Sequence, residues 1–160
     1  MEPVIAALRE SLNAISAPRF FESERGFQGE LLVQLSKHVR LPDNAIIEQE
    51  YQKRLMAHGL NIRPDIIIHE PFNPELHTSR TEGNSAAIEL KLNASPESAI
   101  EDFNSLASML EILQYPIGFF INIGGNSTYS TLVPQSVRGK LVCFAVYLAE
   151  GKTIVIEERT

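Results

Sequence analysis

Two short apolar runs, Arg63-Pro64-Asp65-Ile66-Ile67-Ile68 and Ala87-Ile88-Glu89-Leu90-Lys91-Leu92, constrain this chain more than any other part of it. Both are rich in the aliphatic residues of a covered strand, yet both carry charge where such a strand should have none. Charge inside an apolar run costs free energy unless a partner or a metal ion offsets it. Side chains alternate along a strand, so Ile88, Leu90 and Leu92 fall on one face and Glu89 and Lys91 on the other. In the first run Asp65 shares its face with Ile67 and His69. If the runs pair, Asp65 and Glu89 converge at one end of a sheet, where two carboxylates suit a hard divalent cation such as Mg2+ or Mn2+. Lys91, on the face of Glu89, is placed to orient a water or to neutralise charge building on a phosphate. An ordinary exposed cross-strand charge pattern is the plain alternative.

The remaining sequence surrounds these runs with recognisable elements. Helical periodicity runs from Met1 to Ile15 through Val4, Ile5, Leu8 and Leu12, and the segment holding Pro18 ends it. A second helix is expected from about Phe27 to Val39, with Leu31, Leu32, Leu35 and Val39 on one stripe. Leu41-Pro42-Asp43-Asn44 has turn chemistry, an alternating strand follows from Ile46 to Gln52, and a polar connection containing Gly59 leads to Asp65. Pro71 to Ser85 reads as a loop. Ser95-Pro96-Glu97 predicts a helix start: Ser at the cap, Pro at the first helical position, an acid in the first turn. That helix carries Ile100, Phe103, Leu106, Leu110 and Leu113 and ends near Tyr115-Pro116. Ile117 to Ile123 is a nearly continuous apolar run, as in strands covered on both faces. A strand, a helix and a strand in that order imply a right-handed parallel crossover. Leu141 to Leu148 and Thr153 to Glu157 form a terminal hairpin around Ala149-Glu150-Gly151-Lys152. The expected fold is α/β: three α/β/α layers with a central mixed sheet, an αβββαβ core and a C-terminal hairpin. The Asp65 strand is expected antiparallel to its neighbours, and residues 1–160 form one domain.

Pro64-Asp65 and Glu89-Leu90-Lys91, on successive strand-like runs with helical segments before and after, resemble the signature of the PD-(D/E)XK nuclease superfamily, the restriction-endonuclease-like fold. Second copies of each half, Pro42-Asp43 and Glu150-Gly151-Lys152, read as turns. The resemblance implies a metal-dependent nuclease. Asp65 and Glu89 would hold Mg2+ or Mn2+, the backbone carbonyl of Leu90 would be a further ligand, and Lys91 would position the attacking water. It also implies an additional acid from the helix ahead of the first strand. Glu30, within Gly26-Phe27-Gln28-Gly29-Glu30, occupies that segment, and a solvated glutamate explains it equally well. Glu48 and Glu50 share one face of the first strand, as substitutes for Glu30 or as edge charges.

Arg63 is placed to grip a phosphate bidentately, or is simply a surface arginine. His77 and Arg80 lie in the loop between the motif strands, where substrate contacts are expected. Gly124-Gly125-Asn126 reads as a tight turn. Some members of the superfamily carry a glutamine and a tyrosine at helical spacing after the lysine; here Gln114 and Tyr115 are adjacent, and neither is assigned that role. A member that keeps the fold but no longer cuts, serving as a binding or assembly module, is the alternative.

Composition bounds these expectations. At 160 residues, 44% hydrophobic and 21% charged, the chain can bury a real core. No apolar run reaches the length of a membrane span, and Met1-Glu2-Pro3 lacks the basic start of a secretory signal, so a cytoplasmic protein without membrane contact is expected. Cys143 is the single cysteine and belongs to an apolar run, which makes it a core residue. His38, His58, His69 and His77 lack the spacing of a zinc site. A net charge of −6 and a pI near 5.2 give no basic footprint for nucleic acid. The expected partner is still nucleic acid, DNA before RNA. It would be held by the loose grouping of Lys37, Arg40, Lys53, Arg54 and Arg63, or by basic surface from a second copy or another subunit. Bound cations would offset part of the acidity.

Overall fold

The parity of apolar side chains decides which helix covers which face of the sheet. The structure, a computed structural model, describes residues 1–42, 44–49 and 62–160. Asp43, Glu50, Lys53, Arg54, His58 and Gly59 lie outside the described residues. Helix α1 (Glu2–Ala14) is joined through a 3-10 turn (Pro18–Glu22) to α2 (Glu24–His38). Strands β1 (Ile46–Gln49), β2 (Ile66–His69) and β3 (Asn84–Leu92) precede α3 (Pro96–Ile112), and β4 (Gly118–Ile123), β5 (Leu141–Ala149) and β6 (Lys152–Arg159) complete the sheet. The six strands lie in chain order. β3, β4 and β5 are parallel, β2 is antiparallel to both β1 and β3, and β6 is antiparallel to β5.

Ile66, Ile68, Ile88, Leu90, Phe119 and Ile121 pack on one side with Leu8 and Leu12 of α1 and Leu31 and Leu35 of α2. Ile67, Ala87, Phe120 and Cys143 pack on the other with Phe103, Leu106 and Leu110 of α3. This is the expected three-layer α/β/α arrangement with its mixed sheet and terminal hairpin. Because Glu89 and Lys91 share the parity of Ala87, both belong to the face that α3 covers.

Caps fix where the two site-bearing helices begin. Ser95 accepts a hydrogen bond from the Ser98 N–H, and the Ser98 hydroxyl accepts one from the Ser95 N–H, closing a capping box. Ser23 accepts from the Gly26 N–H and starts α2 three residues ahead of the expected Phe27, which brings Glu24 into the first turn. Among the described residues, no helix is long and apolar enough to cross a membrane.

Candidate active site

The site lies where β2 begins, beside the continuing β3. The β2–β3 register pairs Ile66 with Ile88, so its continuation by two residues sets Pro64 opposite Leu90, and proline has no N–H to offer. Side chains meet the exposed edge of β3 instead. Asp65 Oδ2 accepts the Leu90 N–H at 2.7 Å, and Glu24 Oε2 accepts the Leu92 N–H at 3.0 Å. A strand residue directs its N–H and C=O to the same neighbour, so the Leu90 carbonyl also faces the Asp65 side. Gln28, one turn after Glu24 and buried, donates from Nε2 to the Asp65 carbonyl at 2.8 Å and ties the start of β2 to α2.

Glu89 is 8% exposed and precedes the Leu90 N–H that Asp65 holds, so its carboxyl group lies within electrostatic reach of Asp65. Burial raises its pKa well above the ordinary value, and the like charges of Asp65 and Asp102 raise it further. Burial also raises Asp65, against the Leu90 N–H bond, which favours its ionised form. Both shifts run toward the protonated form, and the larger one is at Glu89.

Lys91 Nζ lies 3.5 Å from Asp102 Oδ2 on α3. Desolvation acts to lower the lysine pKa, but Asp102, Glu24 and Asp65 outweigh it and the net shift is upward. Asp102 is pushed up to about 6, chiefly by burial, with Lys91 opposing. The Lys91 contact is an ion pair longer than a charge-assisted hydrogen bond, and Asp102 Oδ2 is buried without a hydrogen-bond partner.

Asp65, Glu89, Lys91 and Leu90 thus come together as the sequence predicts, and Arg63 is exposed beside them just ahead of Pro64. Glu30 does not join them. Its Oε1 accepts from Gln34 Nε2 at 2.6 Å within α2, and six residues of helix turn it away from the stripe of Glu24, Gln28, Leu31 and Leu35. Glu24 is the acid that α2 brings to this edge, through its bond to the Leu92 N–H. The signal lay in Ser23 as a cap and in the i, i+4, i+7 recurrence of Glu24, Gln28 and Leu31. Glu48 is engaged with His69, its Oε2 2.8 Å from Nε2, on the β1 side of β2.

The loop holding His77 and Arg80 leaves β2 from His69, at the end of the strand opposite Asp65. His77 Nε2 lies 3.3 Å from Glu70 Oε2, and the Arg80 guanidinium sits 4.6 Å from the ring centre of Phe72. Gly124 adopts φ +83° in the expected turn, and the buried Asn122 side chain accepts from the Ala94 N–H and donates to the Ser127 carbonyl across it. Asp102 had no sequence signal of its own, because its role arises from a contact between α3 and the sheet.

No family model, curated protein or solved structure matches this chain. Its chemistry is therefore read from the geometry and from the motif. Among the described residues, no three or more His, Cys, Asp or Glu side chains are gathered closely enough to hold a metal ion by themselves. Mg2+ needs no such group, since it takes one or two carboxylates and fills its shell with waters and substrate oxygens. Asp65 and Glu89, two carboxyl groups of low exposure within electrostatic reach of each other, fit that donor set.

Proposed function

We propose that this chain is a metal-dependent nuclease that hydrolyses phosphodiester bonds in cytoplasmic nucleic acid, DNA before RNA. Asp65 and Glu89 hold Mg2+ or Mn2+, with the Leu90 carbonyl beside them and Glu24 close enough to act on the same charge. The single observation that supports the reading is the 2.7 Å bond from the Leu90 N–H to Asp65 Oδ2, which sets Asp65 beside the buried Glu89 of a strand that also presents Lys91. When bound, the cation polarises the phosphoryl oxygens and lowers the pKa of water. Asp65 is held in place at both ends, through its carboxylate by Leu90 and through its carbonyl by Gln28. A cation bound beside it would favour the ionised form of Glu89. Lys91, kept charged by the acids around it, orients the attacking water and offsets charge building on the phosphate. A second copy or another subunit supplies the basic surface that a chain of net charge −6 lacks.

The test is cleavage of DNA by the purified protein with Mg2+ or Mn2+. Asp65→Ala and Lys91→Ala are each expected to reduce it to background, and undiminished cleavage in both variants would reject the assignment. The net charge favours a second reading, a nuclease fold that binds or assembles without cutting. Failure of the unaltered protein to take up Mn2+ in calorimetry would select it.

A further inference from the structure

One ammonium stands among four carboxyl groups at this site. Lys91 is influenced by Asp102, Glu24 and Asp65, and it acts in turn on Glu89. Coulomb attraction would draw an unrestrained lysine onto the Asp65–Glu89 pair, the place the nuclease reading reserves for a cation. Lys91 instead reaches across to α3 and rests 3.5 Å from Asp102 Oδ2. Asp102 has no evident use to the helix itself. Aspartate is a poor residue for a helix interior, and this one lies six residues past the first helical position with its side chain only 14% exposed. Its backbone is nevertheless fixed, because the Ser95–Ser98 capping box sets the start of α3 and the neighbouring Phe103 and Leu106 are fully buried.

We infer that Asp102 is a positioning residue that holds the Lys91 ammonium beside the Asp65–Glu89 pair and out of it, keeping the carboxyl oxygens open to a divalent cation. The inference rests on the nuclease reading for the purpose of the open site, but the position of Lys91 can be examined without any metal. With the Asp102 charge removed, Lys91 turns onto Asp65 or Glu89 and competes with the cation.

Calorimetric titration of Mn2+ into the unaltered protein, Asp102→Asn, Asp102→Ala and Asp102→Asn/Lys91→Ala tests this, together with a crystal structure of metal-free Asp102→Asn. The expected result is about tenfold weaker Mn2+ binding in either Asp102 variant, as for coupled neighbouring charges. Removing Lys91 as well should restore the binding. Asp102→Glu, which keeps the charge, should bind as the unaltered protein does, and the crystal structure should show Lys91 Nζ within hydrogen-bonding distance of Asp65 or Glu89. A purely structural role for Asp102 would not be rescued by deleting Lys91. Mn2+ binding that the Asp102 variants leave unchanged, a loss that Lys91→Ala fails to restore, or a Lys91 still in its original position would each overturn the inference alone. Absence of Mn2+ binding in the unaltered protein would overturn the nuclease reading and this inference together.

Discussion

At Glu89 the fold keeps a carboxyl group where burial and the like charges of Asp65 and Asp102 outweigh the favourable charge of Lys91 and oppose ionisation. The folded chain binds this proton more tightly than the unfolded chain does. Ionising Glu89 therefore subtracts from stability as pH rises above the ordinary carboxylate value, and acidification relieves the loss. Asp102 has the same sign, its contribution falling between pH 3.8 and about 6 and levelling off above. Glu89→Gln, measured without metal, should raise Tm at pH 8 by about 2–4 °C for each kcal/mol relieved in a chain of this size. The gain should shrink at pH 5. An equal Tm for the two proteins at pH 8 by scanning calorimetry would show that burial of the charge is not costly here. A second prediction separates the two helix acids. Glu24→Ala should lower Mn2+-dependent cleavage by about 10–100-fold, as for a residue supporting a metal site, whereas Glu30→Ala should leave it unchanged. The sequence made Asp65, Glu89 and Lys91 legible because charge stands out in an apolar run. Glu24 escaped because the stripe was begun at Phe27, after the Ser23 cap, and Asp102 because an aspartate on a helix looks the same whether it faces water or a lysine.

The elements that announce themselves do so through residues with one strong local role. Ser95-Pro96-Glu97 marks the start of α3, the unbroken run before Gly124 marks β4, and the Glu150-Gly151 turn marks the β5–β6 hairpin, with φ +51° at Glu150 and +74° at Gly151. The 3-10 turn Pro18–Glu22 gave no such signal. Phe20 and Phe21 pack partly buried against the core of α1, α2 and the sheet, so tertiary contact shapes that segment. Strand lengths were also less legible than strand positions, since β2 stops at Ile66 because Pro64 cannot extend the ladder and Asp65 takes over its hydrogen bonding. The cap of α3 has an expected energetic weight. Ser95→Ala removes an acceptor for the Ser98 N–H and should cost about 1 kcal/mol, read as a lower denaturant midpoint at unchanged slope. Because α3 presents Asp102 to Lys91, cleavage by this variant should fall by more than its folded fraction requires if the helix start is what sets that contact. A loss that only tracks folding would show that the packing of Phe103 and Leu106 fixes Asp102 by itself.

For the whole molecule, a net charge of −6 sets the order in which partners arrive. Glu24, Asp65, Glu89 and Asp102 concentrate acidity where the proposed nuclease function would bring a phosphodiester, with Lys91 as their shared counter-charge. On that proposal a phosphate would meet repulsion there until a bound cation reversed the local sign. Binding of DNA should therefore require the divalent ion, which the Lys91→Ala protein allows to be measured without cleavage. Fluorescence anisotropy with a labelled duplex should show little binding in chelator and clear binding with Mn2+. The dependence on monovalent salt then distinguishes two sources of grip. Each phosphate neutralised by a basic side chain adds about −0.9 to the slope of log K against log salt on duplex DNA. If this chain alone provides the contacts, through the five basic residues grouped around Arg63 in the sequence, the slope should be no steeper than about −4.5. A slope twice that, appearing only above a threshold protein concentration, would mean that a second copy brings its own basic side chains to the duplex. Binding that is equally strong in chelator would remove the cation from recognition altogether, and would place the nucleic acid on a surface away from the four acids.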